Sequence, residues 1–201
     1  MVRKIFLVRH GHIDYGSEKR YIGITDLPLS NMGIEQVIRL REYFSAWDIG
    51  QAFTSPLKRC LQTSEILLAG SNIKIVVIDE LKEINMGRWE NQTIDYIKFR
   101  FPEQYAERGK NIDTFVPPGG ESFEQLQKRV MLAFNHITKN AVGNILIVSH
   151  AGVIRVILSQ LLGFPLRDIF KISQPYGCIN QLSWDITSQK WLWEQRNCDE
   201  L

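Results

Sequence analysis

Two histidines of this chain each follow a short apolar run and precede a glycine, His10 directly before Gly11 and His150 two positions before Gly152. His10 follows the run 4–8 and Arg9, and His150 follows the run 144–149. A short apolar run that ends near glycine predicts a buried strand closing in a tight turn. Ligands bind at the carboxyl ends of strands in open α/β sheets, so the two imidazoles would meet if their strands were neighbours. The pattern outlines an active site in which an imidazole nucleophile stands beside the fixed positive charge of Arg9.

Strand and helix patterns alternate around these two turns. The strands are predicted at 4–8, 51–55, 73–78 and 144–149, with a terminal hairpin of 178–184 and 190–194; the helices are predicted from residue 30 or 31 through Trp47, from Pro56, over 122–140 and over 153–162. Such an alternation favours an α/β fold, a three-layer sandwich whose mostly parallel central sheet has helices on both faces.

The length predicts one domain, residues 1–201, with one segment that differs from the rest. Residues 89–120 carry aromatic side chains among charges and close with Pro117-Pro118-Gly119-Gly120. We interpret this segment as an inserted lid over the strand ends. The alternative is a satellite helix with a small core of its own.

Composition limits the partners of the protein. A formal net charge of +2 argues against a nucleic-acid-binding surface. The 3 cysteines form no CxxC pair, which indicates reduced thiols in a cytoplasmic setting. The start of the chain is too short for the apolar core of a signal peptide, and no apolar stretch approaches the ~18 residues of a membrane span. We therefore expect no membrane partner.

Several short motifs, taken in order, resemble the histidine phosphatase superfamily, which has the phosphoglycerate-mutase-like fold. The resemblance covers nearly the whole chain and rests on these segments: 7–11, 23–30, 55–60 with Gln62-Thr63, 81–84, 119–122 and 149–152. It implies a phosphomonoesterase that forms a phosphohistidine intermediate and needs neither a metal nor a cofactor. The implied partner is a small-molecule phosphomonoester.

The resemblance also implies a role for each chemical group. His10 would attack phosphorus, while Arg9 and Arg59 offer planar donor sets that suit phosphate oxygens. His150 would donate to the phosphate from the opposite side, preferably as the imidazolium. Glu83 would protonate the leaving alcohol and then take a proton from the water that hydrolyses the phosphoenzyme.

The chain departs from the family pattern just after His10. Many relatives carry an acidic or amide residue there, and a few positions later an asparagine that touches the phosphate. This chain has His12, Ile13 and Gly16 at those places. Ser17 or a backbone amide would then replace the asparagine contact. The substrate-side residues predicted here are Ser17, Gly23, Ile24 and Thr25.

Two other classes of function compete with the phosphatase. His10, His12 and Asp14 form the start of an HxHxD metal motif, as in metallo-β-lactamase-like hydrolases, but Tyr15 stands where a further histidine belongs. The chain has 4 histidines, and His136 falls off the apolar stripe of its helix, so metal ligands are scarce. A non-catalytic module that binds phosphorylated ligands is the second alternative. The presence of His10, Glu83 and His150 together argues against it.

The substrate is a separate question. Mutases of this family resemble longer chains with a bigger insertion between Glu83 and His150, so hydrolysis is favoured over phosphoglycerate mutation. The chain looks most like α-ribazole-5′-phosphate phosphatases of cobalamin biosynthesis, and also resembles broad-specificity and phosphoserine phosphatases. The aromatic lid would stack on a flat base such as a benzimidazole. A homodimer through the edge 191–193 stays open, as do the substrate and the role of His12.

Overall fold

The computed structural model describes residues 3–44 and 47–197, which build one six-stranded sheet. The strands are β1 (Lys4–Arg9), β2 (Ile49–Thr54), β3 (Ile75–Val77), β4 (Asn144–Ser149), β5 (Ile179–Asp185) and β6 (Lys190–Arg196). Their order across the sheet is β3-β2-β4-β1-β5-β6. β1, β2, β3 and β4 are mutually parallel, and β5 and β6 run antiparallel at one edge.

Helices connect the parallel strands. They are α1 (Asn31–Phe44), α2 (Lys58–Leu67), α3 (Ile94–Arg100), α4 (Pro102–Lys110), α5 (Phe123–Asn140) and α6 (Ala151–Leu162). α5 begins with a capping box, in which Ser122 and Gln125 satisfy each other's backbone N–H groups. α6 ends at Gly163, whose left-handed conformation (φ 74°) favours glycine.

Alternate side chains of the central strands enter two separate cores. In β1, Ile5 and Leu7 belong to a first core with α5 and α6, whereas Phe6 and Val8 belong to a second core with α1 and α2. This period of two is what a sheet covered on both faces requires. The predicted three-layer α/β sandwich with a mostly parallel sheet is thereby confirmed.

Two predicted helix boundaries are wrong. Pro56 does not open a helix, because α2 begins at Lys58 with Leu57 in the extended N-cap position. Trp47 lies beyond the end of α1, and its ring packs against Phe6 with centroids 4.7 Å apart. Trp47 therefore packs against the second core from outside the helix.

The segment 89–120 shares the first core and does not form a core of its own. Trp89 is 1% exposed, and its ring lies 5.4 Å from that of Phe115. Ile97 of α3 is also fully buried in the first core. The satellite interpretation is therefore wrong in that respect, and the role of the segment as a lid stays a prediction.

The edge strand β6 exposes less apolar surface than the sequence suggested. Trp191 and Trp193 are partly buried against the first core, and only Leu192 between them is exposed. Cys60 and Cys178 are buried free thiols, while Cys198 lies outside the described residues. Across residues 3–44 and 47–197, no helix combines the length and apolar character needed to cross a membrane.

Candidate active site

His10 and His150 meet at the carboxyl end of the parallel strands. β1 and β4 are neighbours, with Arg9 opposite Ser149 in register, and the backbone N–H of His10 donates to the Ser149 carbonyl at 3.0 Å. The two rings contact each other edge to face with centroids 5.2 Å apart, and the residues are 4% and 0% exposed. The structure thus brings the predicted pair together, as adjacent strand ends demand.

The surroundings of His10 define its tautomer. Its Nδ1 lies 2.8 Å from the carbonyl oxygen of Gly11. Because a carbonyl only accepts, Nδ1 carries the hydrogen and Nε2 holds a lone pair when the ring is neutral. Burial, together with the charges of Arg9 and Arg59, places the pKa of His10 well below its ordinary value. The site therefore holds a neutral imidazole whose Nε2 is available as a nucleophile.

His150 has partners on both ring nitrogens. The Nε–H of Arg59 donates to Nδ1 at 3.2 Å, and Nε2 lies 2.8 Å from the hydroxyl oxygen of Ser55. Arginine can only donate, so Nδ1 is the acceptor and Nε2–H donates to Ser55. Burial and Arg59 lower the pKa of His150 well below its ordinary value. The ring is therefore neutral here, because a further cation would be buried beside a guanidinium. The imidazolium predicted for the phosphate-bound site stays a prediction.

Arg59 is fixed by the loop 23–25. It is 1% exposed, and its two terminal nitrogens donate to the carbonyl oxygens of Thr25 and Gly23, each at 2.7 Å. The carboxylate of Glu90 holds this loop by accepting the N–H groups of Gly23 (3.2 Å), Ile24 (2.9 Å) and Thr25 (3.1 Å). It also accepts from the Thr25 hydroxyl. Gly23 and Thr25, predicted as substrate-side residues, thus contact Arg59, and Ile24 is 37% exposed.

Arg9 is held by the chain just before β5. Its guanidinium lies 3.8 Å from the centre of the Tyr176 ring and donates to the carbonyl of Gln174. Its Nε is buried and has no hydrogen-bond partner within the described ranges. The same tyrosine ring packs near His10, with centroids 5.5 Å apart. A buried, unused donor beside the two histidines is what an anion site offers.

Glu83 lies against the first turn of α6, the helix that follows His150. Its Oε2 accepts the N–H of Gly152 at 3.0 Å, and its Oε1 accepts the N–H of Ile84 at 2.9 Å. The side chain is mostly buried, and a Cβ at position 152 would overlap Oε1. Gly152 is thus required at this place because the carboxylate occupies the space of a side chain.

Cys60 packs against His150 as a neutral thiol. Its Sγ lies 3.4 Å from His150 Nε2, and burial raises the pKa of the thiol far above its ordinary value. The thiol therefore stays protonated and serves as a buried packing group.

Within the described residues, two of the other sequence candidates make no hydrogen bond to the histidine pair. Ser17 is exposed, and the described contacts include no hydrogen bond from it to either histidine. His12 turns its Nδ1 toward the Ser30 hydroxyl at 2.8 Å, and its ring packs against Tyr176. Among the residues that the structure describes, no three His, Cys, Asp or Glu side chains are grouped to hold an ion. His136 is exposed on α5.

Sequence reasoning missed several residues that build this site. They are Ser55, Glu90, Arg129, Gln174 and Tyr176. Ser55 stands within a motif that the resemblance used, so its place could have been found there. Tyr176 and Gln174 carry no local signal, because their contacts depend on how the chain enters β5.

The comparison with protein families agrees with the geometry. The family model described as histidine phosphatase superfamily (branch 1) matches residues 5–199. The fold and the paired histidines define the class, and the chain belongs to this superfamily.

The individual relatives described next share 26–31% sequence identity with the chain. The chain is 26% identical over 181 residues to an adenosylcobalamin/alpha-ribazole phosphatase of Escherichia coli (strain K12), covering 87% of each chain. It is 31% identical over 166 residues to a probable phosphoglycerate mutase of Yersinia pestis (strain Pestoides F), covering 81% of this chain and 76% of that protein. The crystal structure of the alpha-ribazole phosphatase from Shigella flexneri superposes with a TM-score of 0.84 at 26% identity, covering 95% and 94% of the two chains.

Proposed function

We propose that the protein hydrolyses small-molecule phosphomonoesters through a phosphohistidine formed on Nε2 of His10. The observation that carries this proposal is the bond between His10 Nδ1 and the Gly11 carbonyl, which leaves the Nε2 lone pair for attack. The lowered pKa of His10 keeps that lone pair free below neutral pH. Membership of the superfamily supports the same chemistry.

The reaction balances with the groups in place. In the first step Nε2 of His10 forms a bond to phosphorus while the bond from phosphorus to the ester oxygen breaks. Glu83, as the carboxylic acid, gives its proton to the departing alkoxide. In the second step water attacks the phosphohistidine, Glu83 takes a proton from it, and the bond from phosphorus to nitrogen breaks. The products are an alcohol and inorganic phosphate, and both residues return to their starting forms.

Positive donors around His10 would stabilise the charge that develops on the phosphoryl oxygens. Arg9 offers its buried Nε, and Arg59 is fixed beside the histidine pair. His150, neutral in this structure, would turn a ring N–H toward the phosphate, and a bound dianion would favour its charged form. Donors that are already placed where charge develops account for a large part of catalysis in many enzymes.

Among substrates, α-ribazole 5′-phosphate is our first candidate. The α-ribazole phosphatase relatives and the shared fold support it. A flat base would stack on aromatic side chains of the segment 89–120, which we propose as the lid of the site. Phosphoserine and other simple phosphomonoesters are the alternatives, and a mutase would transfer the phosphoryl group to a second alcohol.

The test is a panel of α-ribazole 5′-phosphate, phosphoserine, 3-phosphoglycerate and p-nitrophenyl phosphate, assayed for phosphate release with a chelator present. We expect release from at least one alkyl ester, fastest from α-ribazole 5′-phosphate. If the simple esters react as fast, the assignment of α-ribazole 5′-phosphate as the substrate fails. Isomerisation of 3-phosphoglycerate without phosphate release would indicate a mutase, and silence across the panel would leave a binding module.

A further inference from the structure

The loop that carries Glu83 is held by an ion pair outside the histidine cluster. Arg129, on α5, donates its Nε–H to Glu121 Oε2 at 3.0 Å and an N–H of Nη2 to Oε1 at 2.6 Å. The two side chains are 26% and 16% exposed. A bidentate pair that is mostly withdrawn from water is a rigid unit, unlike a mobile surface ion pair.

The other N–H groups of Arg129 reach the backbone around Glu83. Nη1 donates to the carbonyl oxygens of Glu80 at 2.6 Å and Lys82 at 2.9 Å, and Nη2 donates to that of Glu83 at 3.1 Å. With the two bonds to Glu121, all five N–H groups of the guanidinium are used. Arg129 therefore has no donor left for a substrate phosphate, and its hydrogen bonds act on the reaction through the loop.

Glu121 completes the arrangement on the far side of Glu83. Its Oε1 accepts the N–H of Asn85 at 2.9 Å, and its own N–H donates to the Asn85 carbonyl at 2.9 Å. The chain before Glu83 is thus bound to Arg129 and the chain after it to Glu121. Glu121 belongs to the segment 119–122, which the family resemblance includes without giving it a role.

We propose that Arg129 and Glu121 form a clamp that positions Glu83 for proton transfer to the leaving group. The proposal rests on the phosphatase function proposed above. Proton transfer requires donor and acceptor within hydrogen-bond reach, and a displacement of ~1 Å can cost about 10²-fold in rate. Within the described residues, the carboxylate accepts the backbone N–H groups of Gly152 and Ile84, so the position of the loop around Glu83 helps to decide where the proton is delivered.

Two substitutions test the clamp. In Arg129→Lys, the ammonium offers its donors from one point and cannot serve three carbonyls and a carboxylate together. Glu121→Gln keeps the shape and removes the charge. For each variant, kcat/KM is measured for p-nitrophenyl phosphate and for an alkyl ester, either phosphoserine or α-ribazole 5′-phosphate, whichever the wild type hydrolyses faster. Glu83→Gln is measured in parallel.

The ratio of the two kcat/KM values is the readout. p-Nitrophenolate leaves with little protonation, so a misplaced acid slows the alkyl ester more. We expect the ratio of aryl to alkyl kcat/KM to rise by about 10-fold or more in Arg129→Lys, toward the value of Glu83→Gln. Loss of folded protein lowers both values equally and leaves the ratio unchanged.

A matched control lies on β6, where Arg196 pairs with Glu194 at 3.9 Å. Arg196→Lys should keep the wild-type ratio. If Arg129→Lys and Glu121→Gln also keep it while Glu83→Gln raises it, the clamp is overturned. A ratio unmoved by Glu83→Gln overturns Glu83 as the acid, and the clamp with it. Failure of the wild type to hydrolyse either ester would instead overturn the proposed function.

Discussion

At the end of β1, His10 gives its Nδ1 hydrogen to the carbonyl of the next residue, Gly11, whereas at the end of β4, His150 has both ring nitrogens engaged by Arg59 and Ser55. The two turns have the same sequence pattern, and both rings are buried with a lowered pKa. They differ in that Nε2 of His10 has no hydrogen-bond partner among the described residues, whereas both ring nitrogens of His150 have one.

A shared sequence motif can therefore place two side chains without giving them the same role. The partner of His10 is its own neighbour in the chain, so the backbone of the turn alone fixes its tautomer. The partners of His150 come from 91 and 95 residues away. Their positions depend on α2 and on the end of β2. This difference supports the proposed roles, with His10 as the nucleophile and His150 as a donor to the phosphate.

The largest expected effect comes from separating these roles. His10→Ala removes the nucleophile, and kcat/KM should fall by about 10³-fold or more. His150→Asn keeps the nucleophile and removes a donor, so the loss should be about 10²-fold. Steady-state kinetics on the best substrate of the panel measures both. A larger loss in His150→Asn than in His10→Ala would reverse the assignment of the two histidines.

The next effect concerns pH, because both histidines are neutral in the folded protein. An unfolded chain binds protons at these residues below about pH 6.5, whereas the folded chain does not until the pH is well below that. The stability that depends on the neutral rings is thus present above about pH 6.5 and is lost as the pH falls toward the folded pKa. Each histidine contributes up to about 1.4 kcal/mol per pH unit in that window.

Urea unfolding at pH 7.5 and at pH 5.5 checks this linkage. The wild type should lose more free energy of unfolding between the two pH values than His10→Asn does. His136→Asn, at an exposed position on α5, serves as the control and should match the wild type. An equal pH response in His10→Asn and the wild type would mean that His10 is not held neutral by the fold.

The sequence predicts the meeting of His10 and His150 far better than the contacts that support the two rings. Arg9, His10 and His150 follow strand ends, and strand ends are recognised from short apolar runs, so their meeting could be foreseen. The tautomers could not be, because they depend on a carbonyl at one histidine and on Arg59 and a distant serine at the other. The imidazolium predicted at His150 concerns the phosphate-bound site and stays a prediction.

The fold shows the same division. Short continuous apolar runs, together with helices between them, predict a sheet covered on both faces, because a strand buried on both faces carries apolar residues at successive positions. The start of α2 was misplaced because Pro56 is acceptable both in a helix's first turn and just before it. The burial of Trp89 in the first core could not be predicted, because it depends on the packing of the segment 89–120 against the rest of the chain. Glu90 carries no local sequence signal. The five hydrogen bonds that it accepts, four from the loop 23–25 and one from the N–H of Met86, depend on the path of that loop.

The smallest expected effect comes from Ser55. Ser55→Ala removes the acceptor of the His150 Nε2–H without touching His10. A neutral hydrogen bond contributes about 0.5–1.5 kcal/mol, so kcat/KM should fall by about 10-fold at most. Ser64→Ala is a suitable control, because this buried serine bonds to Thr54 and the Cys60 carbonyl, away from His150. A loss equal to that of His10→Ala would show that Ser55 does more than orient His150.

The most direct test of the account is to locate the phosphoryl group on the enzyme. The protein is mixed with its best substrate in the presence of chelator, quenched in denaturant at alkaline pH, digested with trypsin and analysed by mass spectrometry. His10 falls in the peptide 10–19 together with His12, and His150 falls in the peptide 140–155, so fragmentation is needed within the first. We predict the phosphoryl group on His10. Its presence on His12 or His150, or on no histidine while phosphate is released, would contradict the account.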